Sequence, residues 1–170
     1  MEKKPVDYNN PDNYAALLSS LAGSCARREV CRREAFDKMR RRQVPDEVAA
    51  RIVAELQRRG FIDERRYARA FCADKLRLSG WGRWKISAAL AAKGIDEKTA
   101  REALSEVLHE DEDGGKRILE IARRKASRLD LDSREGRMKL LRHLLSRGFD
   151  SSEVYPVVEK LAGKNDACEP

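Results

Sequence analysis

Apolar residues recur along this chain at helical spacing, and one apolar stripe comes round three times. Val48, Ala49, Ile52, Val53 and Leu56 stand at i, i+1, i+4, i+5 and i+8, one face of a 3.6-residue helix. Thr99, Ala100, Ala103, Leu104 and Val107 keep the same spacing, and so do Glu153, Val154, Val157, Val158 and Leu161. A large apolar residue precedes each stripe: Val44, Ile95 and Phe149, 51 and 54 residues apart. Ile95 and Phe149 each follow a glycine and precede an aspartate. Gly94 and Gly148 suit the left-handed residue that ends a helix, where a Cβ would clash. Asp96 and Asp150 suit the N-cap of the next helix, and Glu153 completes a capping box with Asp150. The first copy puts Gln43 in the glycine's place and opens its helix with Pro45. A repeat of roughly 50 residues predicts stacked units that share a core with their neighbours.

On this frame the chain is predicted to be all-α, an elongated array of three tandem three-helix repeats with about nine helices. The repeats are predicted at 13–60, 61–112 and 113–163, with a disordered N-terminal arm over 1–12 and a disordered tail over 164–170. A first helix is predicted from Asn13 to Ala22, broken by Gly23-Ser24. A second runs from Arg28 to Arg42 with Val30, Ala35, Phe36 and Met39 inward, and a third from Asp46 to Arg59. The fourth opens at Asp63 and turns Tyr67, Ala70, Phe71 and Leu78 inward. Ser79-Gly80-Trp81-Gly82 is a turn before a fifth helix bearing Ile86, Ala89 and Leu90, and the sixth spans Asp96 to Leu108. The acidic, glycine-ended stretch from His109 to Gly115 reads as a linker or hinge. A seventh helix carries Ile118, Leu119, Ile121 and Ala122. Met138, Leu140, Leu141, Leu144 and Leu145 mark the eighth, and Val154 to Leu161 the ninth, with Pro156 near its first turn.

Composition supports helices: 38% of residues are charged and 6% aromatic, with ten glycines and five prolines. No run is long and apolar enough for a membrane span and no signal-like leader opens the chain, so a cytoplasmic protein without membrane contact is expected. Cys25, Cys31, Cys72 and Cys168 include no C-x-x-C pair, and neither His109 nor His143 stands beside a cysteine. No metal site and no redox dithiol are therefore expected; Cys72 reads as core and Cys168 as part of the tail.

Net charge is +7, and the basic residues bunch. Arg27-Arg28, Arg32-Arg33, Arg40-Arg41-Arg42, Arg58-Arg59 and Arg123-Arg124-Lys125 are clusters of the kind that suits polyanions. A solvated helix face explains such clusters equally well. No catalytic set accompanies them. Glu29, Glu34 and Asp37 stand at i±3 and i±4 from Arg and Lys, which is helix support rather than acid–base chemistry. There is no phosphate-cradling loop, and no serine has a histidine at motif spacing. The chain reads as a non-enzyme with no cofactor.

Two stretches are more specific. One runs from Arg28 to Met39. The other starts at Leu56 and passes through the turn Gly60-Phe61-Ile62-Asp63, the helix segment Tyr67-Ala68-Arg69-Ala70-Phe71, the turn Gly80-Trp81-Gly82, Lys85-Ile86 and Lys93-Gly94-Ile95. In this order they resemble the RecX family, bacterial regulators of the RecA recombinase. The resemblance covers Tyr14 to Leu161 and is strongest from Leu56 to Leu104. Arg83 stands where the family often has proline, and Ala35 where it often has leucine; a helix accommodates both. The resemblance implies three three-helix repeats with a basic concave face, binding in the groove of a RecA filament on DNA, and suppression of ATP hydrolysis and strand exchange in recombination, repair and the SOS response. A monomer that touches DNA weakly, nonspecifically and salt-sensitively is expected. The other reading is a sequence-nonspecific DNA-binding helical protein that acts without a recombinase.

The candidate contacts are Arg32, Arg33, Arg40, Arg41, Arg58, Arg59, Lys75, Arg77, Trp81, Arg83, Lys85, Arg123, Arg124, Lys125 and Arg128. Arg40-Arg41-Arg42 cannot all face one way on a helix. Lys75, Arg77, Arg83 and Lys85 surround the Trp81 turn and are the preferred contacts of the middle repeat. Trp81 and Trp84 flank Gly82, and a tryptophan in this glycine turn can stack on a base or anchor a partner, or it can staple the fourth helix to the fifth. Tyr67 and Phe71 read as core.

Overall fold

The computed structural model describes residues 6–111 and 113–163. Among the described residues there are nine α-helices and no strand: α1 (Pro11–Arg27), α2 (Arg32–Arg40), α3 (Asp46–Arg58), α4 (Glu64–Arg77), α5 (Arg83–Ala92), α6 (Glu97–His109), α7 (Gly114–Ala126), α8 (Arg134–Ser146) and α9 (Ser151–Ala162). Every strongly packed helix pair lies within one consecutive group of three, foremost α4 with α6 and α8 with α9. Three separate apolar cores result. Ile52 and Leu56 centre the first, Ile86 and Leu90 the second, and Leu140 and Leu144 the third. Each unit therefore encloses its own core instead of sharing one with its neighbour as the repeat predicted, and no two helices from different units pack closely along their length.

The repeated turn is closed by one hydrogen-bond pattern three times. Val44 N donates to Met39 O, Ile95 N to Leu90 O and Phe149 N to Leu144 O. Gln43 N, Gly94 N and Gly148 N bond the carbonyls of Arg40, Ala91 and Leu145. The residue between is left-handed each time, with φ of 56° at Gln43, 77° at Gly94 and 86° at Gly148. Gln43 is the only non-glycine with positive φ among the described residues. Asp96 caps α6 through Thr99 N, and Asp150 with Glu153 forms the capping box of α9. Met39, Leu90 and Leu144 are fully buried at matching positions.

Several boundaries differ from those predicted. α1 starts at Pro11 behind the Asn10 cap, so the predicted arm is helical in its last two residues; residues 1–5 and the tail 164–170 lie outside the described residues. Gly23-Ser24 does not break α1, which runs on to Arg27 with the Ser24 hydroxyl donating to Ser20 O. α2 starts at Arg32, not Arg28, since residues 28–31 cross between units. Val30 enters the first core and Cys31 the second, the opposed pointing that successive residues have on an extended chain. Leu76, not Leu78, faces the second core, and Leu78 is 82% exposed. Met138 and Leu145 face solvent. Pro156 is the sixth residue of α9, one turn later than predicted. The predicted hinge is tied near its start: Arg117 grips Asp111 with two hydrogen bonds of 2.5 and 2.7 Å, and Arg69 pairs with Glu110. Gly114 and Gly115 open α7. Cys72 is buried as expected, and burial pushes its thiol up to about 11.

Candidate polyanion-binding face

The middle unit joins its two neighbours by different chemistry. Toward unit 1 the joint is polar. Glu34 of α2 accepts from Tyr67 Oη (2.9 Å), Lys93 Nζ (2.6 Å) and Arg28 (2.7 Å), and Arg66 Nε reaches Glu29 at 2.6 Å. Burial opposes ionisation of Glu34, but those donors outweigh it and hold the carboxyl below the usual range. Toward unit 3 the joint is backbone on backbone. Gly82 N donates to Arg147 O (2.8 Å) and Trp84 N to Gly148 O (3.0 Å). A Cβ on Gly82 would meet Gly148 O at 2.2 Å, so the approach needs glycine there. Arg147 donates to the carbonyls of Ser79 and Gly80, at 3.0 and 3.3 Å. Trp84 Nε1 donates to Asp150 at 3.0 Å. Ser152 N, then Trp84 and the Ser152 hydroxyl, hold the Asp150 carboxyl down at about 2.

This second joint builds a cleft of about 610 Å³ between the α4–α5 turn and the α7 and α8 helices. Arg77, Arg117, Arg124, Lys125, Arg128 and Arg147 line it against one lining carboxylate, Glu120. Arg117 is neutralised by Asp111. The C-termini of α4, α7 and α8 each supply roughly half a negative charge. Between two and three positive charges, roughly, therefore remain uncompensated, more than the helix dipoles offset. Arg77, Arg124, Lys125 and Arg128 make no ion pair among the described residues, so their charge is available to an anion. His143 also lines the cleft. Its Nε2 accepts from Arg147 Nε at 3.2 Å, and burial, then Arg147 and Lys125, push its pKa down.

The other predicted residues lie outside this cleft, in five places. Arg32, Arg33 and Arg40 line a shallow hollow beside Lys93 and Gly94 at the first joint. Lys75 and Lys85 flank the Trp81 indole at 5.0 and 4.8 Å from its ring centre. Trp81 packs on the second core while part of its ring stays open, so it staples α4 to α5 and remains reachable. Arg58 and Arg59 are both held by Glu55, at 2.5 and 2.6 Å, and Arg41 bonds Asp37 O. Arg123 is exposed outside the cleft that its neighbours Arg124 and Lys125 line. Arg83 lies with Trp84, 63% exposed, at an apolar groove between α5 and α6.

Reasoning from sequence missed Arg117, His143 and Arg147, and it singled out Trp84 beside Gly82 without its partner. Arg147 had a signal, since it directly precedes the repeated Gly148 turn with His143 one helical turn behind. The role of Trp84 was hidden because its partner, Asp150, lies in the next unit. Among the described residues no group of three His, Cys, Asp or Glu could hold a metal, and no helix is long and apolar enough to cross a membrane.

Comparison with known proteins places this architecture. The chain matches the family model described as RecX, second three-helix domain, over residues 63–104, and that described as RecX, third three-helix domain, over residues 111–158. Regulatory protein RecX of Prosthecochloris aestuarii is 30% identical over 144 residues, taking in 85% of this chain and 92% of that protein. Its counterpart in Clostridium acetobutylicum is 26% identical over 163 residues, 94% of this chain and 75% of that one. The crystal structure of RecX from Lactobacillus salivarius aligns with a TM-score of 0.72 at 24% identity, covering 88% of this chain and 97% of that one, and so supports the fold. A second crystal structure, of regulatory protein RecX, gives 0.75 at 21% identity over 94% of this chain and 81% of that one. With matched three-helix models on units 2 and 3, and a relative aligned over nearly its whole length, the chain belongs to the RecX family.

Proposed function

We propose that this protein binds the RecA nucleoprotein filament and restrains its ATP hydrolysis and strand exchange in DNA recombination and repair. The repeats at 13–60, 61–112 and 113–163 act as one extended surface, long enough to touch several neighbouring subunits of a helical partner. The observation that carries this reading is the uncompensated positive charge of the cleft between units 2 and 3, in a chain of this family. A filament that encloses DNA offers a polyanion and a protein surface together, and opposite fields favour such an encounter. Arg77, Arg124, Lys125 and Arg128 are the principal contacts, with Arg32, Arg33 and Arg40 as a second patch and Lys75, Trp81 and Lys85 as a third. Arg58 and Arg59, neutralised by Glu55, contribute less. The exposed Trp84 and the apolar groove beside it suit a protein partner better than a phosphate backbone.

Co-sedimentation tests this. The protein should pellet with RecA assembled on single-stranded DNA at concentrations where DNA alone retains little of it. Equal retention on bare DNA would instead mark a sequence-nonspecific DNA-binding protein that needs no recombinase.

A further inference from the structure

The cleft between units 2 and 3 holds one histidine, and its surroundings tie its protonation to what the cleft binds. His143 lies on α8. Sharing the cleft with it are Arg117, Glu120, Arg124, Lys125 and Arg128 from the α7 side, Arg147 from α8 itself and Arg77 from the end of α4, and the charges that act on it are Arg147 and Lys125; α9 brings no charged residue to the cleft. Arg147 Nε donates to His143 Nε2, so the ring is neutral when the cleft is empty. The same guanidinium bonds the carbonyls of Ser79 and Gly80, which places the imidazole at the seam where the two units meet.

We propose that a run of phosphodiesters from a nucleic-acid strand lies in this cleft, and that its binding draws a proton onto His143. This rests on the polyanion reading of the cleft and adds to it the ligand class and a proton linkage. Each phosphodiester carries a full negative charge that does not itself titrate near neutral pH. Set against Lys125 and Arg147, it offsets the charges that keep His143 neutral, since an opposite charge within about 4–6 Å favours the ionised form. Protonation turns Nε2 from acceptor to donor. The ring can then give its hydrogen to a phosphate oxygen, and Arg147 Nε is released to do the same while its other nitrogen keeps Ser79 and Gly80. Burial supports the starting state, holding the imidazole below its ordinary pKa before any anion arrives. Binding that takes up a proton strengthens as pH falls, because the linkage is reciprocal. Each unit by which the bound-state pKa exceeds the free one is worth about tenfold in affinity across the titration.

The chain has two histidines, and His109 lines the α5–α6 groove on other elements, which gives an internal control. Fluorescence anisotropy with a single-stranded oligonucleotide should be measured at constant ionic strength from about pH 8 to about pH 5.5, the range in which histidine changes charge. Wild type and His109→Gln should gain affinity by about tenfold or more as pH falls. His143→Gln should match wild type at the upper pH and stay flat below it. A flat wild-type profile, or an undiminished pH response in His143→Gln, overturns the inference; if filament binding persists, the proposed function stands without it. The ring resonances of His143 give a reading that needs no variant, and its pKa should rise when the oligonucleotide is added. An equal rise with inorganic sulfate at the same low concentration would assign the cleft to a small anion and overturn the strand.

Discussion

Replacing Gly82 with alanine should unlatch units 2 and 3 while leaving both folded. Gly82 has an ordinary φ of −84°, so alanine costs nothing in backbone conformation there. Its Cβ, however, would stand 2.2 Å from Gly148 O and 2.3 Å from Gly148 C, atoms that no rotamer change can move. The two turns must separate by about an ångström to relieve the overlap, which breaks the bonds Gly82 N to Arg147 O and Trp84 N to Gly148 O. At roughly 0.5–1.5 kcal/mol net for each, the seam is weakened by about 1–3 kcal/mol. Gly94→Ala is the matched control. Gly94 is left-handed at 77° with nothing within 4 Å of its would-be Cβ, so alanine there costs only the conformational penalty, roughly 1–2 kcal/mol, inside unit 2. The two variants are destabilised to a similar degree in different places, and urea unfolding with native-state hydrogen exchange separates them. In Gly82→Ala the amides of residues 82 and 84 should exchange freely while Leu90, inside α5, stays protected. In Gly94→Ala the seam amides should stay protected to within the global destabilisation. Unchanged protection at residues 82 and 84 in Gly82→Ala, with a stability change below about 0.5 kcal/mol, would refute the seam as described.

Three further outcomes are expected. Glu34→Gln should weaken the joint between units 1 and 2 and flatten its acid response: the native carboxyl is held below 4.5, so its contribution is present above pH 4.5 and is lost as pH falls through the lowered native value, which urea midpoints from neutral to acid pH would show. Reversing Arg124, Lys125 and Arg128 to Glu should weaken filament inhibition and reduce the log–log salt slope by roughly 0.7–0.9 for each phosphate no longer neutralised, with helicity near wild type. Reversing Arg58 and Arg59, already paired with Glu55, should leave inhibition within about twofold of wild type in the same titration.

The repeat was legible in sequence because each copy needs the same local chemistry. A left-handed residue at 43, 94 or 148, a large apolar residue after it and an apolar stripe beyond are all short-range demands. Gln43 could be assigned the glycine's role only by alignment with the other two copies, since nothing in its own side chain asks for positive φ. The joints between units left no comparable mark. Gly82 reads locally as a turn glycine, and its need to be bare comes from Gly148, 66 residues away. The stretch 28–31 carries apolar residues that suit a helix, yet Val30 and Cys31 serve different cores, a division no single-helix pattern expresses. The candidate site divided in the same way. Arg124, Lys125 and Arg128 were visible as a cluster, whereas their meeting with Arg77 and Arg147 depends on how unit 3 docks. The pairing of Arg58 and Arg59 with Glu55 was readable at i−3 and i−4, and it lowers their standing in the interface.

The central proposal is that this chain acts on the recombinase filament rather than on DNA alone. DNA-stimulated ATP hydrolysis by the cognate RecA should be followed while the protein is titrated, beside a titration of the same DNA without RecA at the same salt. Half-inhibition is expected at a concentration at least about tenfold below half-saturation of the free DNA, a gap of about 1.4 kcal/mol. Coincident midpoints would contradict it, because inhibition would then follow from coating the DNA.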